Sequence, residues 1–153
     1  MIICGIDPGQ TGALAFYSNV SRSVVALYDM PVMARLHGKG QEVNASELCS
    51  LVMNHKPDEA IIELVAAMPG QGVSSMFRFG ESYGIIKGVL ATLQIPYTGV
   101  TPQSWKKAAG LSGKDKDASR TLAIQQHPEI ADMLSRKKDC GRADAIHIAK
   151  FGA

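Results

Sequence analysis

The chain is poor in cysteine, poor in aromatic residues and free of long apolar runs. Its three cysteines, Cys4, Cys49 and Cys140, are widely spaced, odd in number and never in a CxxC pair. That pattern argues against a disulfide framework or a zinc site and for reduced thiols. The histidines His37, His55, His127 and His147 are equally scattered. No apolar run approaches the ~18 to 20 residues that a membrane span needs. No basic segment precedes the strand-like opening Ile2-Ile3-Cys4-Gly5-Ile6, so no signal peptide is expected. Charged residues make up 20% of the chain but hydrophobic ones 46%, enough for a real core and against intrinsic disorder. A chain of 153 residues is about one domain's worth, and a soluble cytoplasmic protein is expected.

The charge is unevenly spread. Residues 1–100 carry six Lys/Arg against eight Asp/Glu, whereas residues 101–153 carry ten against six. The last third therefore offers a surface suited to a polyanion.

No internal repeat or long linker divides the chain, so residues 1–153 are expected to form one domain. Residues 2–7, 12–17 and 23–29 read as three short strands, the first two joined by the turn signal Pro8-Gly9-Gln10-Thr11. Residues 30–43 lack periodicity and read as a loop. Asn44 and Glu47 have capping-box spacing for a helix ending near His55-Lys56-Pro57. The run Ala60-Ile61-Ile62-Glu63-Leu64-Val65 reads as a strand buried on both faces. A long helix is expected over 74–93, a strand over 96–100 and a helix capped by Thr101 before Pro102. Further helices are expected over 114–126 and 140–151. This order predicts an α/β fold of the ribonuclease H-like kind: a mixed five-stranded sheet, three strands antiparallel and the rest parallel, with helices on both faces.

Three acids stand where acids need a reason. Glu63 lies inside an apolar strand, where an unpaired carboxylate is costly. Asp7 ends the first strand; a turn-initiating role before Pro-Gly is its plain structural reading. Asp144 lies in the first turns of the last helix, where the helix dipole alone favours it. The first and fourth strands would be neighbours with the last helix across them, so these three carboxylates can converge. Clustered carboxylates repel unless cations neutralise them, and hard oxygen ligands favour Mg²⁺ or Mn²⁺. Such a cluster suits two-metal phosphodiester hydrolysis.

The segments Gly5-Ile6-Asp7-Pro8-Gly9 with Thr11-Gly12, Ile61-Ile62-Glu63, and Ala143-Asp144-Ala145-Ile146 with Ile148-Ala149 resemble the RuvC family of Holliday junction resolvases. Thr101-Pro102-Gln103-Ser104-Trp105-Lys106-Lys107 and Gly113-Lys114 look like that family's basic region, and Met68-Pro69-Gly70-Gln71-Gly72 looks most like its bacteriophage branch. The resemblance implies a metal-dependent endonuclease that cuts four-way DNA junctions symmetrically as a dimer, in a bacterial or phage-infected cytoplasm. It assigns two Mg²⁺ ions, replaceable by Mn²⁺, to Asp7, Glu63 and Asp144. Such resolvases usually carry a fourth ligand three residues before the last acid. That position is Gly141 here, which leaves Asp139 as the nearby substitute. Asp139 can serve only if the backbone is not yet helical there, and its plain reading is an N-cap. Alternatives are a nuclease of the same fold with broader branched-DNA or RNA–DNA hybrid specificity, or a catalytically impaired junction-binding protein.

For DNA, the expected phosphate contacts are Lys106, Lys107, Lys114, Lys116, Arg120, Arg136, Lys137, Lys138 and Arg142. Lys107 and Lys114 are the candidates to stabilise charge on the cleaved phosphate. Trp105 reads as an anchor packing its helix, with base stacking the alternative, and His147 as a surface or core-edge histidine. Phe77 and Phe79 could wedge into unstacked bases, one of them being expected in the core. Gly80, Gly84 and Gly88 recur every four residues along the long helix, each at a cost of roughly 1 kcal/mol relative to Ala. They suggest close approach of another backbone, either the sheet beneath or the same helix of a second subunit in a homodimer.

Overall fold

The computed structural model describes residues 1–153. Three antiparallel strands, β1 (Ile2–Asp7), β2 (Ala13–Ser18) and β3 (Ser23–Asp29), form one side of a five-stranded sheet. Two parallel strands, β6 (Glu59–Glu63) and β7 (Tyr97–Val100), extend it beyond β1 in the order β3-β2-β1-β6-β7. Between the halves lies a small hairpin of β4 (Val32–Ala34) and β5 (Gln41–Val43), in the stretch that lacks periodicity in the sequence. Three-residue strands are too short to show an alternation, which is why the loop reading misses them.

Helices α1 (Ala45–His55) and α2 (Val73–Thr92) cover one face of the sheet. The Asn44 side chain accepts from the Glu47 N–H and opens α1, while Lys56 closes it in a left-handed conformation. Cys4, Ile6, Leu14, Phe16 and Ile62 point to this face and pack on Leu48, Val52, Ile86 and Leu90. The other face takes α3 (Pro102–Ala108), α4 (Lys116–Gln126) and α5 (Cys140–Phe151). There Ile3, Ile61 and Val100 meet Trp105 and Ile148, and Ala13 and Ala15 meet Ala123, Ala143 and Ile146. Period-two alternation thus sends Ile3, Gly5 and Asp7 of β1 to the α5 side.

α5 comes very close to β1. A Cβ on Gly5 would lie 2.1 Å from the Ala145 carbonyl oxygen and 2.5 Å from the Ala149 amide nitrogen, so only glycine permits this crossing. Two short 3₁₀ turns, Pro128–Leu134 and Lys137–Asp139, lead into α5. None of the helices is long and apolar enough to cross a membrane.

Candidate active site

β1 and β6 run parallel, pairing Gly5 with Ile61 and Ile6 with Ile62. One step further, Asp7 and Glu63 end the two strands side by side. Ligand chemistry in open α/β sheets gathers at such carboxyl ends. α5 crosses the same ends and brings Asp144 to them, so that Asp7 and Asp144 line one cleft of about 250 Å³ with Thr11, Trp105, Lys106, Lys114, Lys116, Ser119, Cys140 and Gly141.

The electrostatics record the convergence. Burial, then the Asp144 and Glu63 charges, push the Asp7 carboxyl up to about 8, against the opposing pull of Lys106, and no hydrogen bond offsets this. Asp144 is pushed up to about 6, chiefly by burial and also by Glu63, although the Ser119 hydroxyl, Lys106 and Lys116 hold it down. The Trp105 Nε1–H donates to Glu63 Oε2 at 2.7 Å, and the Ser119 hydroxyl donates to Asp144 Oδ1 at 2.5 Å.

This is not a finished cage, because no three His, Cys, Asp or Glu side chains stand close enough together to hold one ion. Its donor set nevertheless fits hard divalent cations: oxygen ligands throughout, and a carboxyl whose charged form burial and then the other two acids disfavour until positive charge arrives. Gly141 completes the picture. A Cβ there would lie 3.1 Å from both Asp7 Oδ2 and the Thr11 carbonyl oxygen, so a side chain at 141 would enter the cleft beside Asp7. Glycine leaves that space open.

Asp139 does not take it. Its carboxylate is 2% exposed and is held by the Arg136 guanidinium at 2.8 Å and by the Arg136 backbone N–H at 2.8 Å. These bonds keep its pKa below the ordinary carboxylate value. Asp139 lines a separate hollow with Thr11, Gly12, Asp29, Arg136 and Lys138. The expectation of a substitute ligand is corrected: the residue does precede the helix, but its side chain is committed to Arg136.

The lysines divide into two sets. Lys106, Lys114 and Lys116 are exposed and line the cleft, whereas Lys107, Lys137 and Lys138 are exposed outside it. Beside the acids stands Lys106, not Lys107. Arg120 is a brace, donating to Asp117 and to the Leu134 and Ser135 carbonyls. Arg142 likewise ties α5 to Asp29 and to the Met133 carbonyl. Both arginines, expected as phosphate contacts, have their donors engaged within the fold, as Arg136 has on Asp139.

Phe77 and Phe79 are 68% and 39% exposed, so neither lies in the core. The Phe79 ring closes over Gly9, in a groove of about 440 Å³ lined by Gln10, Thr11, Ser74, Ser75, Arg78 and Ser82. Trp105 and His147, in contrast, are both fully buried. Sequence reasoning missed the Trp105 and Ser119 bonds to the acids. The signal available was a lone tryptophan and a serine in segments otherwise rich in lysine, and it names no partner.

No protein-family model matches the chain. The chain is 31% identical to the chloroplastic Holliday junction resolvase MOC1 of Chlamydomonas reinhardtii. That match covers 88% of this chain but 18% of the relative, so the chain spans about a fifth of that protein. Among solved structures, Thermus thermophilus RuvC in complex with a Holliday junction substrate matches with a TM-score of 0.64 at 14% identity, over 97% of this chain and 90% of that one. The fowlpox virus resolvase in complex with its junction DNA matches with a TM-score of 0.58 at 17% identity, over 98% and 95%. The yeast mitochondrial Holliday junction resolvase matches at 0.56 and 17%, over 96% and 75%. The chain is thus similar in sequence to part of a Holliday junction resolvase, and its fold is the RuvC-like form of the ribonuclease H fold.

Proposed function

We propose that residues 1–153 form a metal-dependent endonuclease domain that resolves four-way DNA junctions by paired symmetric cuts as a homodimer. The observation that carries this reading is that Asp7 and Asp144 share one open cleft with Lys106, Lys114 and Lys116, while Glu63 ends the neighbouring strand near enough to raise both carboxyls. Similarity to a junction resolvase over 88% of the chain supports it.

In this reading Asp7, Glu63 and Asp144 hold two divalent cations, Mg²⁺ or Mn²⁺. Bound there, the ions would supply Lewis acidity toward the attacking water and the leaving oxygen. Lys106 offsets negative charge beside Asp7 and Asp144 and is placed to meet the scissile phosphate, with Lys114 and Lys116 on the same cleft wall. Lys107, Lys137 and Lys138 extend the phosphate-binding surface. Phe77 and Phe79, exposed at the start of α2, are available to stack on bases opened at the crossover. The exposed stripe Gly80, Gly84 and Gly88 meets no atom within 4 Å of an added Cβ. Packing on the sheet beneath therefore does not account for these glycines, which supports the same helix of a second subunit as their partner. Three free cysteines fit a reducing compartment such as a bacterial or phage-infected cytoplasm.

The test is a labelled synthetic four-way junction incubated in Mg²⁺, beside EDTA and Asp7→Asn. Paired nicks that vanish in both controls support the reading. Gly141 favours one competing reading, a junction-binding protein whose ion site is too weak to cut. Tight binding without nicks, in Mn²⁺ as well as Mg²⁺, would select it. Cleavage of flaps or RNA–DNA hybrids as fast as junctions would select a broader nuclease.

A further inference from the structure

Behind the carboxylates lies a buried polar layer that the cleavage chemistry does not itself require. The Trp105 indole donates to one oxygen of Glu63, and the Ser119 hydroxyl donates to one oxygen of Asp144. Glu63 Oε1 and Asp144 Oδ2 have no donor from the protein. The two donors are tied together by His147. Its ring is stacked on the indole, with centroids 6.2 Å apart and 16° between the planes, and its Nε2 lies 2.9 Å from the Ser119 carbonyl oxygen. That contact requires a proton on Nε2, leaving Nδ1 buried and without a partner. An indole N–H can only donate and cannot ionise, and leaving it unpaired in a dry interior is costly. Its bond to Glu63 is therefore retained when the other carboxylate oxygen takes a new partner. Lys106 Nζ sits 5.4 Å from the centre of the same indole, so one buried ring sets both an acid and a cleft lysine.

We infer that Trp105 and Ser119 are positioning residues: each holds one oxygen of an acidic ligand so that the other is oriented for a divalent cation, and His147 locks the pair. The inference rests on the reading of Glu63 and Asp144 as cation ligands. Outer donors of this kind typically contribute about 10–100-fold to metal affinity.

Trp105→Phe keeps an aromatic ring against His147 but removes the N–H together with the pyrrole part of the indole. The half-saturating Mg²⁺ concentration for junction cleavage is expected to rise about 10–100-fold. Raising Mg²⁺ should recover cleavage and junction binding in EDTA should persist, while the smaller buried ring lowers the thermal midpoint. Ser119→Ala should shift the Mg²⁺ dependence in the same direction. A second readout needs no activity. Trp105 is the only tryptophan in the chain, so Mg²⁺ titrated into the wild-type protein without DNA should change its fluorescence, and Glu63→Gln should abolish the response. Unchanged Mg²⁺ half-saturation in Trp105→Phe overturns the positioning role. Should that variant fail to fold, wild-type emission that ignores Mg²⁺ at concentrations supporting cleavage overturns it as well. A wild-type chain that cuts no junction at any Mg²⁺ or Mn²⁺ concentration overturns the nuclease reading together with this one.

Discussion

Small residues do opposite work in α5 and α2. Along α5 they are consumed within the fold: Gly141 lies against Asp7, and Ala145 and Ala149 lie against Gly5 of β1. Seven of its twelve residues are buried, and the close crossing delivers Asp144 to the ends of the strands. Along α2 the glycines at 80, 84 and 88 face open space, while Ser82, Ile86 and Leu90 carry the helix's burial. The same residue type thus builds a site from inside in one helix and leaves a flat outer surface in the other. A glycine repeat in a sequence means close approach; which body approaches depends on which side of the helix is already covered.

Breaking α5's side of this comparison should have the largest effect. Gly5→Val would drive a side chain into the α5 backbone, which cannot yield as a flexible side chain does. A loss of about 3 kcal/mol or more, above the usual 1–3 for overpacking, is expected in urea denaturation, with cleavage lost. Gly84→Leu on α2 removes the helix cost of an exposed glycine, so it should raise the urea midpoint of the monomer slightly and abolish dimers in sedimentation. A dimer that survives it would place the interface elsewhere.

The carboxylate corner makes a pH prediction. The folded Asp7 carboxyl titrates at about 8, above the ~3.9 of an unfolded aspartate, so the ion-free native state binds more protons than the unfolded one between those values. Its contribution to stability is complete below about pH 4 and is lost as pH rises through 8. Asp144, raised to about 6, adds the same trend over a lower window. Thermal midpoints in EDTA should therefore fall from pH 6 to pH 9, and Asp7→Asn should flatten that fall. Mg²⁺ should raise the wild-type midpoint most at the alkaline end, where no proton must be displaced.

Gly141→Asp tests the open space beside Asp7 directly. It adds a carboxylate beside Asp7 at the cost of a shift of a few tenths of an ångström. In EDTA the variant should melt a few degrees lower at neutral pH because like charges crowd together, and Mg²⁺ should raise its midpoint by more than it raises the wild type's. The smallest effect on metal is expected for Asp139→Asn. It weakens the Arg136 ion pair and lowers stability by about 1–3 kcal/mol, without moving the Mg²⁺ half-saturation of cleavage.

Much of this architecture is legible in the sequence, because it is written in local patterns. Alternation and apolar runs mark the five sheet strands, and Asn44 and Thr101 open helices whose first amides their side chains accept. Glu63 is legible as a candidate because a carboxylate is costly inside an apolar strand, and Asp7 and Asp144 join it only once the strand order sets them near it. The β4–β5 hairpin is not, since three residues show no period, and neither are the 3₁₀ turns before α5. Arg120 and Arg142 look like phosphate ligands in a basic segment. Only the folded chain shows their donors turned inward to Asp117, Asp29 and backbone carbonyls.

By itself, then, the sequence determined the order of elements and the faces of the strands and singled out the three acids as candidates, because each reading depends on residues a few positions apart. Tertiary structure decided what those residues meet: Trp105 on Glu63 across 42 positions and Ser119 on Asp144 across 25, Asp139 on Arg136 in place of the cleft, and glycines on α2 left uncovered. Such outcomes depend on where α3, α4 and α5 dock on the sheet. Docking is a property of surfaces assembled from distant segments, and no local pattern encodes it.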